Sequence, residues 1–526
     1  MFAISPQLTK VLLGLLLLLP WFSLQQKSFF PFLVYSGFDG ELIILCELFF
    51  AILISFFGKH PKLTKQGALL LFTLTCWHLS GLISAVLSDH FHASLIKQCQ
   101  YLIHCLLAYS VWVFLRQHGK HQLMAAALVL AFLWAIFSLA YKWLHIDDPY
   151  LFSWVFGTPF FNHIRHLGFI QIAVLPLLYL PLLTSFQFKK ILVLVLLTIF
   201  WSSVIWTGSR GTFLSAIIIS CIIPFCLNYN KKALFTLFSV AFAFGWLIAL
   251  QFPVESEVLN PYRLLFLNFE NGIESSKQLS SGRTEIWLRI LDTMWSHNPL
   301  FGLGANSYNL ISPRIWPGTT QAHSGPVQLF TEFGILGFSA LLLSLTICIK
   351  IWLQCKATNL QLLSRVAILG ICIGSAIDGH FYFNFSLLFI SILLALSFPF
   401  NSVQGQQKTN LLFAISILII CIGSSLLIQR HWQSYVLQQV PLSDQQQLDT
   451  VKEFPSFYSP SAWLTDFNTA PHLLQQAMEL GQQLGPYHCK YFEQELALST
   501  ENSTSELFLI DMDKACHRKE ERNHEE

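Results

Sequence analysis

The stretch TGSRGTFLSAIII, residues Thr207–Ile219, joins two apolar runs and places one arginine between two glycines. The apolar runs on either side predict membrane-spanning helices at 191–207 and 211–228, because each is long enough to cross a hydrocarbon core of ~30 Å. An unpaired arginine within that core costs about 2.5 to 3.5 kcal/mol. We therefore expect Arg210 to lie at a membrane surface or to face a cavity lined by protein.

The composition extends this interpretation to most of the chain. Of 526 residues, 54% are hydrophobic and only 11% are charged, against roughly 25% charged in soluble domains. The apolar runs are continuous rather than alternating, which excludes a β-barrel. The predicted fold class is all-α, a polytopic membrane bundle of about thirteen helices. We place the spans at 11–24, 41–57, 67–86, 98–115, 123–143, 167–186, 191–207, 211–228, 233–251, 327–349, 364–378, 384–400 and 410–428.

The distribution of basic residues predicts the orientation, whereas the net charge of +2 gives no indication of a nucleic-acid partner. If the N-terminus is cytoplasmic, every basic cluster falls on the inner side, as the positive-inside rule requires. These clusters are Lys10; Lys59, Lys62 and Lys65; Arg116 and Lys120; Lys189 and Lys190; Lys231 and Lys232; Lys350, Lys356 and Arg365; and Lys408. Arg210 then faces outward. No small-residue cleavage site follows the first run, so we interpret it as a retained span.

Two segments are predicted to lie outside the membrane on the outer face. Within the bundle domain, 1–428, the loop 252–325 is too long for a connector and contains RTEIWLRILDTMWSHNP, whose apolar residues recur at helical spacing. The tail, 429–526, shows amphipathic helical patterning and then a charged, disordered end. In an oxidising compartment its Cys489 and Cys516 are expected to form a disulfide. A Cys2His2 zinc site with the neighbouring His488 and His517 is the alternative.

The ionisable residues of the outer face form a set along the chain: Arg165, His166, Arg210, Arg283, His323, Glu332 and His380. Three arginines on one face indicate a phosphate site, because guanidinium groups stay charged and match phosphate oxygens bidentately. A helix starting directly after Gly211 would add its N-terminal NH groups. Glu332 lies inside a span, where an ionised carboxylate needs a partner, and one of the arginines is the economical choice. Glu47 also lies inside a predicted span and needs a partner for the same reason.

Each of these residues has a simpler interpretation. An arginine at a span end is often an interface anchor that reaches the lipid headgroups. A single loop histidine such as His323 is more often structural. His163 and His166 are three residues apart, as some metal ligands are, but no cysteine or carboxylate lies at ligand spacing.

In combination the motifs are specific. TGSRGTFLSAI, then GRTEIWLRILDTMWSHNPLFGLGANSYN, then AHSGPVQLFTEFGILGF resemble the O-antigen ligase superfamily, which contains O-antigen ligases, Wzy-type polymerases and protein O-oligosaccharyltransferases. The resemblance covers roughly residues 150–400. It implies that Arg210 and Arg283 hold the pyrophosphate of an undecaprenyl-linked glycan, with Arg165 as a further arginine, and that His323 is essential for transfer. The sequence departs from many relatives in having HSGP after the loop alanine, where a His-Asn or Asn-His pair is common.

The resemblance and the residue pattern imply one reaction. An acceptor hydroxyl attacks the anomeric carbon of a sugar on undecaprenyl diphosphate, the arginines stabilise the departing diphosphate, and His323 takes the proton as general base. We expect a metal-independent, inverting glycosyltransferase that needs no cofactor and acts at the periplasmic face of the bacterial inner membrane. His166, His380, Glu332 and Glu47 are expected to support the site. The acceptor is a lipopolysaccharide core, another glycan or a protein.

Two other classes of protein remain open. A metal-dependent oligosaccharyltransferase would use acidic residues of the first outer loop, where GFDGE supplies Asp39 and Glu41. That reading leaves the three arginines unexplained. A flippase or transporter without enzymatic activity would carry ionisable residues near the midplane or matching broken helices in two halves.

Overall fold

The computed structural model describes residues 6–29, 41–57, 60, 64–88, 91–146, 166–185, 187–252, 283–307 and 322–399. Secondary structure in these ranges is helical, without a strand, in agreement with the predicted fold class. Several predictions fall outside them: Asp39, Arg165, the span at 410–428, and the tail with Cys489 and Cys516.

The helices follow the apolar runs of the sequence. They are α1 (Pro6–Phe29), α2 (Glu41–Phe57), α3 (Lys65–Leu87), α4 (Phe91–His118), α5 (His121–Leu144), α6 (Leu167–Val174), a 3-10 helix (Leu175–Leu183), α7 (Lys189–Thr207), α8 (Arg210–Cys226), α9 (Lys231–Ala249), α10 (Arg283–His297), α11 (Gly325–Gln354), α12 (Asn359–Ser375) and α13 (Asn384–Ser397). By length and composition, seven helices of the described part can cross a membrane, and the remaining apolar helices are shorter. The total of thirteen spans stays a prediction.

The predicted span at 167–186 is not one α-helix. An eight-residue α6 changes into the 3-10 helix at Leu175. Pro176 and Pro181 are the reason, because proline lacks the NH of the helical ladder and its ring clashes with the preceding turn. Most of this segment is buried within the protein, where an irregular backbone is tolerated at membrane depth.

Helix α11 is broken at Gly334, whose φ of 63° and ψ of −171° are not helical. The loop PLFGLGAN, residues 299–306, docks on this break through main-chain hydrogen bonds in both directions: Leu303 N to Thr331 O (2.9 Å), Gly304 N to Glu332 O (3.0 Å), Ile335 N to Pro299 O (2.9 Å) and Leu336 N to Leu300 O (3.1 Å). The loop thus pairs backbone groups that the break takes out of the helical ladder. Unpaired, such groups would each cost several kcal/mol in an apolar surrounding.

The bundle brings distant motifs to one end. Helix α12 packs against α6, α8 and α13, while α4 packs against α2 and α13, and α3 packs against α11. The first residues of α8, α10 and α11 and the connection between α12 and α13 meet at that end, as the contacts described below show. We call this connection, residues 376–383, the α12–α13 turn.

Candidate functional site

The TGSRG segment forms a tight junction between α7 and α8. Gly208 ends α7 in the left-handed conformation, with φ of 60°, and Ser209 is the N-cap of α8 in an extended conformation. Helix α8 therefore begins at Arg210, slightly earlier than predicted. Gly211 lies against the side chain of Ile377. The N-terminus of α8, whose first NH groups have no intrahelical acceptor, thus abuts the α12–α13 turn.

Arg283 is the first residue of α10, the helix predicted in the large loop. Its Nη1 donates a hydrogen bond to the carbonyl oxygen of Ile377. Burial lowers the pKa of Arg283, the Asp378 carboxylate raises it, and the neighbouring charge of Arg210 lowers it. Both guanidinium groups are therefore close enough to interact electrically beside the α12–α13 turn.

The apolar face of α10 fixes this arrangement. Ile286, Ile290 and Met294 are buried, in agreement with the predicted helical spacing. Trp287 Nε1 donates to Ala322 O at 2.7 Å, which ties α10 to the residue before His323.

His323 has a left-handed backbone with φ of 50°. For a residue other than glycine this conformation costs about 1–3 kcal/mol and persists only where the surroundings hold it. Ser324, the N-cap of α11, accepts from Val327 N, while Gly325 N donates to Asp378 O at 3.1 Å. The strained residue is therefore held between α11 and the α12–α13 turn.

The side chain of His323 faces Asp378. His323 Nδ1 lies 3.9 Å from Asp378 Oδ1, an ion-pair distance longer than a hydrogen bond. The histidine side chain is 32% exposed and that of Asp378 is 19% exposed. The histidine ring is therefore more exposed to solvent than the carboxylate.

Asp378 is a residue of the candidate site that the sequence analysis did not predict. Burial would raise the pKa of its carboxyl, but His323, His380 and the NH of Gly379 together hold that pKa well below its usual range. Gly379 N donates to Asp378 Oδ1 at 2.9 Å. The sequence signal for it was a single carboxylate at a predicted span end, two residues before the predicted His380.

His166 and His380 lie among aromatic rings near the turn. The ring centroid of Phe169 is 5.5 Å from that of His166 and 4.1 Å from that of His380. His380 is only 1% exposed, and burial lowers its pKa to about 4, with Asp378 acting in the opposite direction. Both histidines therefore pack against Phe169 at the α12–α13 turn.

Glu332 has a different partner from the one predicted. It is 1% exposed and accepts from Gln328 Nε2 at 3.1 Å and from the backbone NH of Asn306. The cation that acts on it is Lys97 of α4, not Arg210 or Arg283. Ser84 of α3 donates to Glu332 O at 2.9 Å, so this part of α11 lies against α3.

Glu47 is fully buried on α2 and pairs with His104 of α4, with Oε2 and Nδ1 2.8 Å apart. This pair joins α2 to α4. Across the described ranges, no three His, Cys, Asp or Glu side chains are grouped as metal ligands. His163 and Asp39, which the metal alternatives would need, lie outside those ranges.

A comparison with protein-family models finds a match in part of the chain. The O-antigen ligase family model matches residues 192–342, which contain Arg210, Arg283, His323 and Glu332. Lys97, Asp378 and His380 lie outside the matched segment. A search of curated proteins finds no match. Residues 192–342 are therefore similar to the O-antigen ligase family.

Proposed function

We propose that this membrane glycosyltransferase transfers a glycan from undecaprenyl diphosphate to an acceptor hydroxyl at the periplasmic face of the inner membrane. The observation that carries the proposal is the convergence of Arg210, Arg283 and the His323–Asp378 pair on the α12–α13 turn. The family match supports the broader class. The distribution of basic residues supports the outward orientation of this end.

Arg210 and Arg283 would bind the diphosphate of the donor. Two guanidinium groups this close repel each other, which favours an anion between or beside them. The N-terminus of α8 adds main-chain NH groups and the positive end of a helix dipole. The same groups stabilise the charge that grows on the diphosphate as the bond to the sugar breaks.

His323 would be the general base. The acceptor oxygen attacks the anomeric carbon, the carbon–oxygen bond to the diphosphate breaks with its electron pair, and the hydroxyl proton passes to the ring. Because Asp378 faces Nδ1, the free Nε2 accepts the proton, and the carboxylate stabilises the imidazolium that forms. A single displacement of this kind inverts the anomeric centre.

A reconstituted transfer reaction tests the proposal. Purified protein in liposomes is given an undecaprenyl-diphosphate glycan and a candidate acceptor, and the wild type is compared with His323→Ala and with the exposed-site control His297→Ala. We expect transfer by the wild type and the control, and none by His323→Ala, which should still bind donor. Movement of the donor across the bilayer without transfer would support a flippase and contradict the proposal.

The acceptor is identified by a second measurement. Mass analysis of lipopolysaccharide, other surface glycans and periplasmic proteins from a deletion strain shows which molecule loses its glycan. Loss from the lipopolysaccharide core indicates a ligase, shortened chains indicate a polymerase, and loss from proteins indicates a protein O-oligosaccharyltransferase.

A further inference from the structure

Lys97 of α4 is a buried cation in the part of the bundle next to the candidate site. Its side chain is 7% exposed, and Nζ donates to Tyr382 O at 2.5 Å, with Asn384 Oδ1 at 3.5 Å. The ammonium group also lies over two rings, 5.4 Å from the centroid of Tyr101 and 4.9 Å from that of Tyr382. Nothing in the chemistry described above uses this lysine.

Lys97 and Glu332 are linked by a series of hydrogen bonds and by their opposite charges; we call this closed set of interactions the Lys97–Glu332 ring. It donates to Tyr382 O, the Tyr382 hydroxyl donates to Asn306 Oδ1, and the backbone NH of Asn306 donates to the Glu332 carboxylate. The charge of Lys97 acts on Glu332 and completes the ring. The ring joins α4, the α12–α13 turn, the PLFGLGAN loop and the broken helix α11.

The turn is held at three consecutive carbonyls. Ser386 Oγ donates to His380 O at 2.5 Å, Tyr101 Oη donates to Phe381 O at 3.2 Å, and Lys97 Nζ donates to Tyr382 O. Two of these three donors lie on α4. The position of the turn therefore depends on that helix.

Asp378 lies at the other end of the same short turn, where its carbonyl accepts from Gly325 N at the start of α11. Glu332 lies on that helix, two turns after Gly325. The Lys97–Glu332 ring thus contacts both the turn that carries Asp378 and the helix that begins just after His323. The facing side-chain atoms of these two residues are 3.9 Å apart. A displacement of about 1 Å between catalytic groups costs up to ~100-fold in rate.

We propose that Lys97, Tyr101 and Glu332 are positioning residues that hold the α12–α13 turn so that Asp378 faces His323. The inference rests on the proposed function, because its effect is on turnover. All three side chains are buried and the proposed function gives none of them a role in binding donor or acceptor, so removing them should lower kcat and leave the donor KM unchanged.

The first test removes one hydroxyl. Tyr101→Phe deletes the hydrogen bond to Phe381 O and keeps the ring. Tyr109→Phe is the matched control on the same helix, where the hydroxyl contacts His60 Nδ1 at 2.9 Å. We expect Tyr101→Phe to lower kcat about 10-fold with a donor KM within about twofold of the wild type, and Tyr109→Phe to leave both unchanged. An unchanged kcat in Tyr101→Phe, or a loss confined to KM, would overturn the proposal.

The second test separates positioning from stability. Lys97→Met and Glu332→Gln each leave one buried group without its partner, and both single variants should unfold at lower temperature. The double variant removes both charges and should regain much of the lost stability. Because it still lacks the hydrogen bond to Tyr382 O, we expect its kcat to stay low. Recovery of kcat together with stability would show a purely structural pair and overturn the proposal.

Arg283→Ala separates a failure of the positioning role from a failure of the proposed function. If it abolishes transfer while Tyr101→Phe matches the wild type, the positioning role fails and the proposed function stands. If the wild type transfers no glycan, the proposed function itself fails.

Discussion

Arg283 donates from Nη1 to the carbonyl of Ile377, the residue immediately before Asp378. This bond joins the large loop to a turn 94 positions further along the chain. The loop arginine is therefore fixed by a segment outside the matched family domain. Its orientation depends on α12 and α13 as well as on its own helix.

Removal of either arginine is expected to stop transfer. Arg210→Ala and Arg283→Ala should each lower kcat/KM by about 10²- to 10³-fold, because the diphosphate loses a charged donor. Lysine at either position should recover little, because a point charge does not reproduce the bidentate fork. Arg289→Ala is the matched control on α10, since Arg289 is exposed and pairs with Glu285. Transfer at the wild-type rate by both alanine variants would exclude the diphosphate site.

Asp378→Asn is expected to keep the fold and to lower kcat by up to about 10⁴-fold, the loss seen when a histidine base loses its carboxylate partner. Donor binding, measured by titration with the lipid-linked glycan, should not change. Asp292→Asn, an exposed carboxylate on α10, is the control. If Asp378→Asn instead weakens donor binding at unchanged turnover, the carboxylate acts through Arg283 rather than through His323.

Gly334→Ala is expected to destabilise the protein by more than ~1 kcal/mol. The residue has φ of 63°, which non-glycine residues adopt at a cost, and an added Cβ would meet the backbone of Leu300 and Gly302. The control is Gly14→Ala in α1, where the added methyl meets no atom within 4 Å. Thermal unfolding in detergent measures both variants. Equal midpoints would show that the break in α11 is not a required feature.

His380 should make the protein less stable in acid. Its pKa is about 4 in the folded protein and about 6.5 in an unfolded chain. Between these values the unfolded state binds more protons, so stability falls as the pH falls from about 6.5 to about 4. We expect His380→Gln to reduce the drop in unfolding midpoint between pH 7 and pH 5. The exposed-site variant His145→Gln should retain it, and equal drops in both would contradict this assignment.

Transfer is expected to survive treatment with a chelator, because the proposed chemistry assigns charge stabilisation to guanidinium groups. The measurement is the reconstituted reaction after incubation with EDTA and dialysis. Activity that is lost and then restored by Mg²⁺ or Mn²⁺ would favour the alternative in which Asp39 and Glu41 hold a divalent ion.

The local features of the site could be predicted because each depends on nearby residues. Continuous apolar runs predicted the helices, and the spacing of Ile286 and Ile290 predicted the buried face of α10. The two apolar runs on either side of Arg210 predicted one helix end followed by one helix start. Pro176 and Pro181 indicate the 3-10 helix, but the strongly apolar run around them favoured the prediction of one continuous α-helix.

The sequence by itself determined that this chain is a helical membrane protein, that part of it resembles the O-antigen ligase family, and that basic and histidine residues lie at the ends of its predicted spans. Those properties follow from hydrophobicity and short motifs, which act locally along the chain. Only the tertiary structure decided which of those residues meet. Asp378 faces His323, and Lys97 rather than an arginine acts on Glu332, because a break in α11 and the packing of α4 on α13 set contacts between residues far apart in sequence.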